Sequence, residues 1–416
     1  MNLKNFRGQS KLPLQFWIVT LVAFINSVSF TIIIPLLYPY AKQFGLNDFQ
    51  ASLLSTAYAL PQFIGTPILG RLSDRLGRKP LLVISLLGTV LSGIVAAVTP
   101  VAWLLYVARI FDGLTGGNTS IARAVVSDIT TVDQRAKAFG IFGAVFRLGF
   151  VAGPALSYVA QQLPTLKGVT SLGMSFIVGA AIALFATILT IFFLPETLRA
   201  SDKHQFHLSW RDFGFIKVFQ SAARPKLGKL FILTFLSGST FTIFTFAFQP
   251  FVLKVLNQDA KTLAITFAVV GMVGFISQVV ALDPLRKKFN LIDILSLSLF
   301  ARGITFLLIP TFPYLTAFFI IIAIFGFVNS FPMPLIDSIL SLNSTEREQG
   351  EVLGINASYL SISNAIGPPI SGMLVSLGYK TPFWITGVLT ILTACFAFML
   401  KSDFKCEGNR VGGNRE

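Results

Sequence analysis

The chain has 416 residues, of which 54% are hydrophobic and 12% are charged. Soluble domains carry about 25% charged residues, so this composition excludes an ordinary soluble protein and places most of the chain in lipid. The formal net charge of +15 would suggest a nucleic-acid partner in a soluble chain. Here the basic residues concentrate in loops on one side of the predicted membrane, which is typical of cytoplasmic loops, so no nucleic-acid partner is expected.

The amino terminus is basic and leads directly into a long apolar run. Lys4, Arg7 and Lys11 precede a run that is too long for a signal-peptide core and lacks a small-residue cleavage site, so we expect it to remain as the first span. A hydrocarbon core about 30 Å thick requires about 20 apolar residues of helix. This criterion gives twelve candidate spans, at residues 14–37, 49–69, 80–98, 101–121, 138–161, 172–194, 230–252, 263–282, 291–310, 313–336, 351–377 and 381–400. An even number of spans after a basic amino terminus predicts that both termini are cytoplasmic.

The turn between the second and third spans combines glycines with charges and reads GRLSDRLGRKPLL. Its glycines allow a tight reversal and close helix packing, and its basic residues mark a cytoplasmic loop. A loop that serves only as a topology anchor would explain the basic residues but not the embedded Asp74. The segment resembles the loop between helices 2 and 3 of the major facilitator superfamily, whose motif is matched at Gly70, Leu72, Asp74, Arg75, Gly77, Arg78 and Lys79.

This resemblance implies a gate. It places Asp74 against the positive amino end of helix 11, near Gly350, and in contact with Arg78 and with Asp128 at the end of the fourth span. A helix amino terminus stabilises a nearby carboxylate by about 0.3–1 kcal/mol. Such a latch would hold the inner side closed and break as the two halves rock. The alternative is a solvated charged loop.

The fourth span contains Arg109 and Asp112, which are three residues apart and share one helical face. Charges at mid-membrane usually face a cavity or a partner. The fifth span runs back from the cytoplasm and places Arg147 at about the depth of Asp112, so Asp112 is expected to pair with Arg147 or Arg109. Asp112 is then either a proton-binding site or half of a permanent ion pair. Arg109 matches the helix-4 arginine that the superfamily associates with proton coupling, whereas Asp112 is not a fixed part of that motif.

The fifth span continues as GFVAGPALS, which resembles the helix-5 motif of the superfamily's drug and proton exchangers. The resemblance implies that Gly149, Gly153 and Pro154 shape this helix against its partner in the other half. Glycine permits close backbone approach, and proline bends a helix. The chain departs from the motif at Ser157, where glycine is usual, and at Arg147, where a small residue is typical.

An internal repeat relates the fifth span to the eleventh. In both, a charge cluster is followed by a glycine and then by a Gly-Pro pair, so that Gly140 and Gly153 recur 214 residues later at Gly354 and Gly367. Two parallel six-helix repeats with the substrate site between them are the arrangement of the superfamily. We therefore predict an all-α membrane protein of the major facilitator fold, with a first bundle at 1–195, a cytoplasmic central loop at 196–229, a second bundle at 230–400 and a cytoplasmic tail at 401–416.

Polar and aromatic residues within the spans are candidates to line the cavity between the halves, although such side chains also form hydrogen bonds between helices. These candidates are Asn26, Tyr58, Gln62, Asn118, Gln249, Gln278, Asn329, Asn356 and Asn364. Arg302 is the deepest charge in the second half and ranks above them as a ligand for an anionic or polar group.

The sequence contains no GxxxxGK[ST] nucleotide-binding motif, so we expect an ion gradient to supply the energy, without a cofactor. Two cysteines, Cys395 and Cys406, cannot form a disulfide framework or a metal cluster. An enzyme is the least favoured class because no nucleophile, base and orienting group occur at catalytic spacing.

The preferred interpretation is a proton-coupled exporter of amphiphilic small molecules, similar to bacterial drug and tetracycline exporters, that works as a monomer by alternating access in a bacterial-type plasma membrane. One alternative is transport of a polar or anionic metabolite or ion. Arg302 favours this alternative, as does the first span, which carries Asn26 and Ser27 where many drug exporters carry an acidic residue. The other alternative is a receptor or scaffold that has retained the fold.

Overall fold

The computed structural model describes residues 12–198, 215–345 and 348–404. Within these ranges the chain is built of α-helices, which confirms the predicted fold class. Both histidines of the predicted central loop lie outside the described residues, and so do Cys406 and the rest of the tail beyond Phe404.

The first half contains eight helical segments. These are α1 (Leu14–Thr31), α2 (Leu37–Gln43), α3 (Asp48–Leu76), α4 (Arg78–Val98), α5 (Ala102–Thr115), α6 (Asn118–Ile129), α7 (Val132–Ala160) and α8 (Gly173–Phe193). A 3₁₀ turn at Ile34–Leu36 joins α1 to α2, so that these two segments form the first spanning rod.

The second half follows a short connecting helix, α9 (Phe215–Ser221). Its helices are α10 (Leu227–Pro250), α11 (Ala260–Val280), α12 (Leu282–Lys288), α13 (Leu291–Thr311), α14 (Leu315–Asn329), α15 (Pro332–Leu342), α16 (Gln349–Leu377) and α17 (Thr381–Met399). One wider helical turn at Phe251–Val255 extends α10.

Ten of the twelve predicted spans are long and apolar enough, within the described residues, to cross a membrane. The other two are the second span, α3, and the fourth, α5 with α6. Helix α3 is 29 residues long but rich in polar residues, because it packs against α5 on one side and α16 of the second half on another. The fourth span is divided at Gly116 and Gly117 rather than continuous.

Neighbouring side chains stabilise this break in the fourth span. Ser85 of α4 donates a hydrogen bond to the carbonyl of Thr115, and Gln62 Nε2 of α3 donates to the carbonyl of Gly116 at 3.4 Å. These bonds satisfy carbonyl groups at the end of α5 that no longer have a helical partner. The break brings Asn118 to the start of α6, where its Nδ2 donates to Asn26 Oδ1 of α1 at 2.8 Å.

The two halves use the same helix pairs. In the first half α1 packs against α7 and α8, and in the second half α10 packs against α16 and α17. A Cβ built on Gly153 would overlap Thr31 of α1, and one built on Gly367 would overlap Thr242 of α10. The matching glycines therefore serve the same close helix contact in each repeat.

These contacts correct one implication of the helix-5 motif. Gly149 and Gly153 pack against α1 of their own half, where Thr31 Oγ1 donates to the Gly149 carbonyl at 2.8 Å. The contact with the other half is made by the neighbouring face of α7, since a Cβ built on Gly271 of α11 would lie 3.2 Å from Val151 Cα. The motif residues therefore shape the packing of α7 within the first half. Val151 makes the contact between α7 and the second half.

Phenylalanine side chains form the core of the second half. The Phe244 ring centroid lies 4.4 Å from that of Phe306, 4.7 Å from that of Phe325 and 5.8 Å from that of Phe383. Aromatic pairs of this geometry contribute about 0.5–1.5 kcal/mol each beyond simple burial. The cluster joins α10, α13, α14 and α17 into one packed unit.

The halves meet at one end. We call the end that carries the Gly70–Leu82 turn the hairpin end and the opposite one the far end. At the far end, Thr56 Oγ1 donates to the Ala365 carbonyl at 2.7 Å, and the Tyr38 amide donates to Gln249 Oε1 at 3.2 Å. Towards the hairpin end, a Cβ built on Gly140 or Gly354 would meet nothing within 4 Å. Over the part of the chain that the structure describes, the space between the halves is therefore closed at the far end and open towards the hairpin end.

Candidate functional site

A cavity of about 380 Å³ lies between the two halves. Its volume falls in the range of small-molecule sites. Aromatic side chains form its apolar walls, namely Phe30, Phe146, Phe150, Phe241 and Phe246. Six of the predicted polar candidates line it: Asn26, Tyr58, Gln62, Asn118, Gln249 and Asn364. The cavity therefore combines aromatic walls with scattered hydrogen-bonding groups.

One ion pair lines this cavity. Arg109 Nη1 lies 3.2 Å from Asp112 Oδ2, and both residues are only 5% exposed. The guanidinium carbon of Arg109 lies 4.4 Å from the centre of the Tyr58 ring, and Tyr58 Oη accepts a hydrogen bond from Gln62 at 2.8 Å. Arg109 Nε has no hydrogen-bond partner among the residues that the structure describes. The structure thus forms the Arg109 pairing for Asp112, one of the two predicted from sequence.

Arg147 does not join this pair. It lies instead close to Arg123 of α6 and Asp337 of α15, within the range of electrostatic interaction. Counting residues along the fifth span fixes the depth of Arg147 but not the direction in which its side chain projects. Val151, one helical turn further along α7, contacts the second half, and Arg147 points to the same side.

Sequence reasoning missed Arg123 and Asp337. The predicted fourth and tenth spans end at 121 and 336, whereas α6 continues to Ile129 and α15 to Leu342. The two residues are 214 apart, which is the offset of the repeat, so they occupy equivalent positions in the two halves. A search of the sequence for charged residues separated by this offset would have identified Arg123 and Asp337 as equivalent positions.

Four predicted cavity residues of the second half are absent from the cavity wall: Gln278, Arg302, Asn329 and Asn356. Arg302 donates to the Ser237 carbonyl at 3.1 Å, to Thr240 Oγ1 at 3.2 Å and to Asn329 Oδ1 at 3.3 Å. It is 2% exposed and is absent from the cavity wall. Its donors cross-link α10, α13 and α14, because the guanidinium projects into the second bundle rather than towards the first.

Asn356 also acts within the second half. Its Oδ1 accepts from Thr234 at 2.6 Å, and its Nδ2 donates to Asp337 Oδ1 at 2.8 Å. It therefore positions the Asp337 carboxylate instead of lining the cavity.

Replacing Arg302 with Met is expected to stabilise the second half by about 1–3 kcal/mol, because a buried charge without a counterion is removed. The ion pairs among the described residues do not include Arg302. Thr240 keeps its bonds to the carbonyls of Leu236 and Ser237. Thermal unfolding in detergent measures the change, with the exposed Arg286→Met as a matched control. A lower melting temperature for Arg302→Met would show that the hydrogen bonds of the guanidinium outweigh its desolvation.

At the hairpin, Arg78 is buried between two carboxylates. Its Nε lies 2.9 Å from Asp128 Oδ2, its Nη1 pairs with Asp74, and Nη1 also donates to Ser73 Oγ at 2.8 Å. The arrangement ties the end of α3 to the start of α4 and the end of α6. It contains the contact of Asp74 with Arg78 that the resemblance implies, and Arg78 links this pair to Asp128.

Glu196 completes the hairpin and was not singled out from the sequence. Its carboxylate accepts hydrogen bonds from the backbone amides of Arg78 at 2.9 Å and Lys79 at 3.1 Å, which caps the amino end of α4. Gly77, with φ +112°, turns the chain there, and a Cβ on it would overlap Glu196.

The contact of Asp74 with helix 11 is not made in this conformation. A Cβ built on Gly350, at the start of α16, would meet no atom of the described residues within 4 Å. Asp74 pairs instead with Arg78 of its own half. The reason is the separation of the halves at the hairpin end, which leaves the start of α16 facing open space.

The comparisons with known proteins agree with this architecture. The family model described as Major Facilitator Superfamily matches residues 19–290 and again residues 230–410. The chain is 28% identical over 372 residues to Multidrug resistance protein 2 of Bacillus subtilis (strain 168), which covers 89% of this chain and 90% of that protein. It is 28% identical over 382 residues to Tetracycline resistance protein, class C, of Escherichia coli, which covers 88% and 92% of the two chains.

Solved structures share the fold. A bacterial homologue of the human lysosomal transporter Spinster, in an inward-facing and unoccupied conformation, superposes with a TM-score of 0.79 at 16% sequence identity. The superposition covers 94% of this chain and 97% of that one. Because the family model matches more than half of its residues, the chain belongs to the major facilitator superfamily, a family of membrane transporters rather than of enzymes.

Proposed function

We propose that this protein is a proton-coupled secondary transporter that exports amphiphilic small molecules by alternating access. The observation that carries the proposal is the cavity between the halves, which has aromatic walls and a buried Arg109–Asp112 pair and opens towards the hairpin end. The relatives named as multidrug and tetracycline resistance proteins support an export role.

The basic hairpin gives the orientation in this proposal. Its arginines and lysine assign the hairpin end to the cytoplasm, together with both termini, in a bacterial-type plasma membrane. The described conformation then corresponds to the state that receives substrate from the cytoplasm. Closure of the hairpin end would bring the start of α16 towards Asp74 and complete the latch.

Asp112 is the proposed proton carrier. Proton binding neutralises its carboxylate and removes the counterion of Arg109, so the protonated and ionised forms favour different arrangements around the cavity. The proton gradient supplies the energy, no cofactor takes part, and the monomer is the functional unit. The cavity walls hold the apolar body of the substrate through their aromatic rings.

Flux in proteoliposomes tests this function. The purified chain is reconstituted, a pH gradient is imposed, and the movement of amphiphilic compounds including tetracycline is recorded together with the internal pH. We expect transport against the substrate gradient, opposite in direction to proton flow, that a protonophore abolishes. Flux that ignores both the pH gradient and the protonophore would contradict proton coupling.

A further inference from the structure

Two arginines project from the first half into the space between the halves, on the hairpin side of the cavity. Arg123 lies four residues after Thr119, a cavity-lining residue, and therefore on the same face of α6. Arg147 lies on α7 between Phe146 and Phe150, which both line the cavity. Both arginine side chains are exposed. Substrate that enters from the hairpin end would pass them before it reached the aromatic walls.

Neither arginine contacts a carboxylate of the described residues. The ion pairs among the described residues, defined by nitrogen–oxygen distances up to 4.0 Å, include neither Arg123 nor Arg147. The carboxylate that acts on both of them from a greater distance is Asp337, across the gap in the second half. Among the residues that the structure describes, two positive charges therefore face the single negative charge of Asp337.

The remaining charges of the cavity do not reverse this excess. The Asp112 carboxylate is matched by Arg109 at 3.2 Å. The other polar groups in the wall are amides and hydroxyls such as Asn26, Gln62 and Gln249, which carry no charge. The passage between the halves is therefore net positive over its described residues, which favours an anionic ligand and disfavours a cationic one.

We propose that Arg123 and Arg147 bind the anionic group of the substrate, so that the transported compounds are amphiphilic anions. Guanidinium groups bind carboxylate and sulfonate oxygens through charge-assisted, paired hydrogen bonds. The apolar body would lie against Phe146 and Phe150, next to Arg147. Asp337 is positioned by its hydrogen bond from Asn356 and faces the same two arginines. Its carboxylate partly compensates their positive charge when no substrate is bound. This inference rests on the proposed transport function and names its substrate class.

A charge series on one fluorophore tests the inference. Dansyl-glycine, dansyl-glycinamide and dansyl-ethylenediamine share the apolar group and carry a negative, zero and positive charge. Initial rates of gradient-driven flux are measured in phosphatidylcholine proteoliposomes, where no anionic lipid headgroup competes for the arginines. We expect the anion to be transported at least about tenfold faster than the cation.

The variants assign the effect to the two residues. Arg123→Gln and Arg147→Gln should each lower flux of the anion about tenfold while changing flux of the neutral probe less than twofold. Arg123→Lys should restore part of the rate, and the exposed Lys288→Gln on α12 should leave all rates unchanged.

Three results would overturn the inference, and one of them would also overturn the proposed transport function. Equal rates for the three probes, or fastest flux of the cation, would contradict the substrate class but leave the transport function standing. Slowing of all three probes alike by the Arg→Gln variants would give the arginines a structural role instead. Absence of gradient-driven flux of every probe in the unmodified protein would overturn the proposed function itself and the inference with it.

Discussion

Asp112→Asn is expected to abolish pH-gradient-driven accumulation of substrate while substrate exchange between equal concentrations continues. The amide cannot bind and release a proton, so the proton gradient can no longer drive transport through this residue. The cavity keeps its shape, so exchange continues. The substitution also leaves Arg109 buried without a counterion, which should lower stability by about 3–5 kcal/mol. Accumulation and exchange are measured in the same proteoliposomes, with thermal unfolding measured in parallel.

The neutral pair Arg109→Gln with Asp112→Asn separates coupling from stability. Removal of both charges should recover most of the lost stability, because no unpaired charge remains buried. Coupling should stay lost. If the double variant still accumulated substrate in response to a pH gradient, the Arg109–Asp112 pair would be a permanent structural ion pair. The proton carrier would then be another residue.

Gly153→Leu is expected to prevent folding of the first half, with loss of membrane expression. A Cβ at this position would already overlap Thr31 Oγ1 and would come within 2.8 Å of the Ile32 amide nitrogen of α1. The backbone of the neighbouring helix cannot move aside as a flexible side chain can. The two helices would therefore separate and expose packed surface, which should lower the free energy of unfolding by several kcal/mol. Fluorescence-detected size exclusion of the expressed protein measures the folded yield.

Gly140→Leu on the same helix is the matched control. A Cβ there would meet nothing within 4 Å, so the folded yield should equal that of the unmodified protein. Gly367→Leu, the equivalent change in the second half, should repeat the loss caused by Gly153→Leu, since its Cβ would overlap Thr242 of α10. Normal yield of Gly153→Leu would show that α1 and α7 do not need this close approach.

Much of the fold follows from the sequence because lipid constrains it strongly. A helical chain satisfies its own backbone hydrogen bonds within a bilayer, and about 20 residues are needed to cross it, so hydropathy locates the spanning helices. The Gly-Pro landmarks relate the fifth and eleventh spans, and the hairpin motif locates the Arg78 contacts. Hydropathy does not show where a helix continues into polar sequence, so the predicted fourth and tenth spans end before Arg123 and Asp337.

The direction of a side chain around its helix depends on packing, and this is where the site predictions failed. Arg147 and Arg302 both lie at the expected depth, yet one faces Asp337 across the gap and the other faces Asn329 inside its own bundle. The position of Asp74 relative to α16 depends on the separation of the two halves at the hairpin end. Sequence motifs do not fix that separation.

Distances between spin labels at the two ends test alternating access most directly. In a background with Cys395 and Cys406 replaced by Ser, one label pair at positions 140 and 354 reports on the hairpin end, where side chains face open space. A second pair at the exposed positions Gln162 and Ser376 reports on the far end. We expect substrate to shorten the first distance and lengthen the second. Distances that stay fixed, or that change in the same direction at both ends, would contradict it.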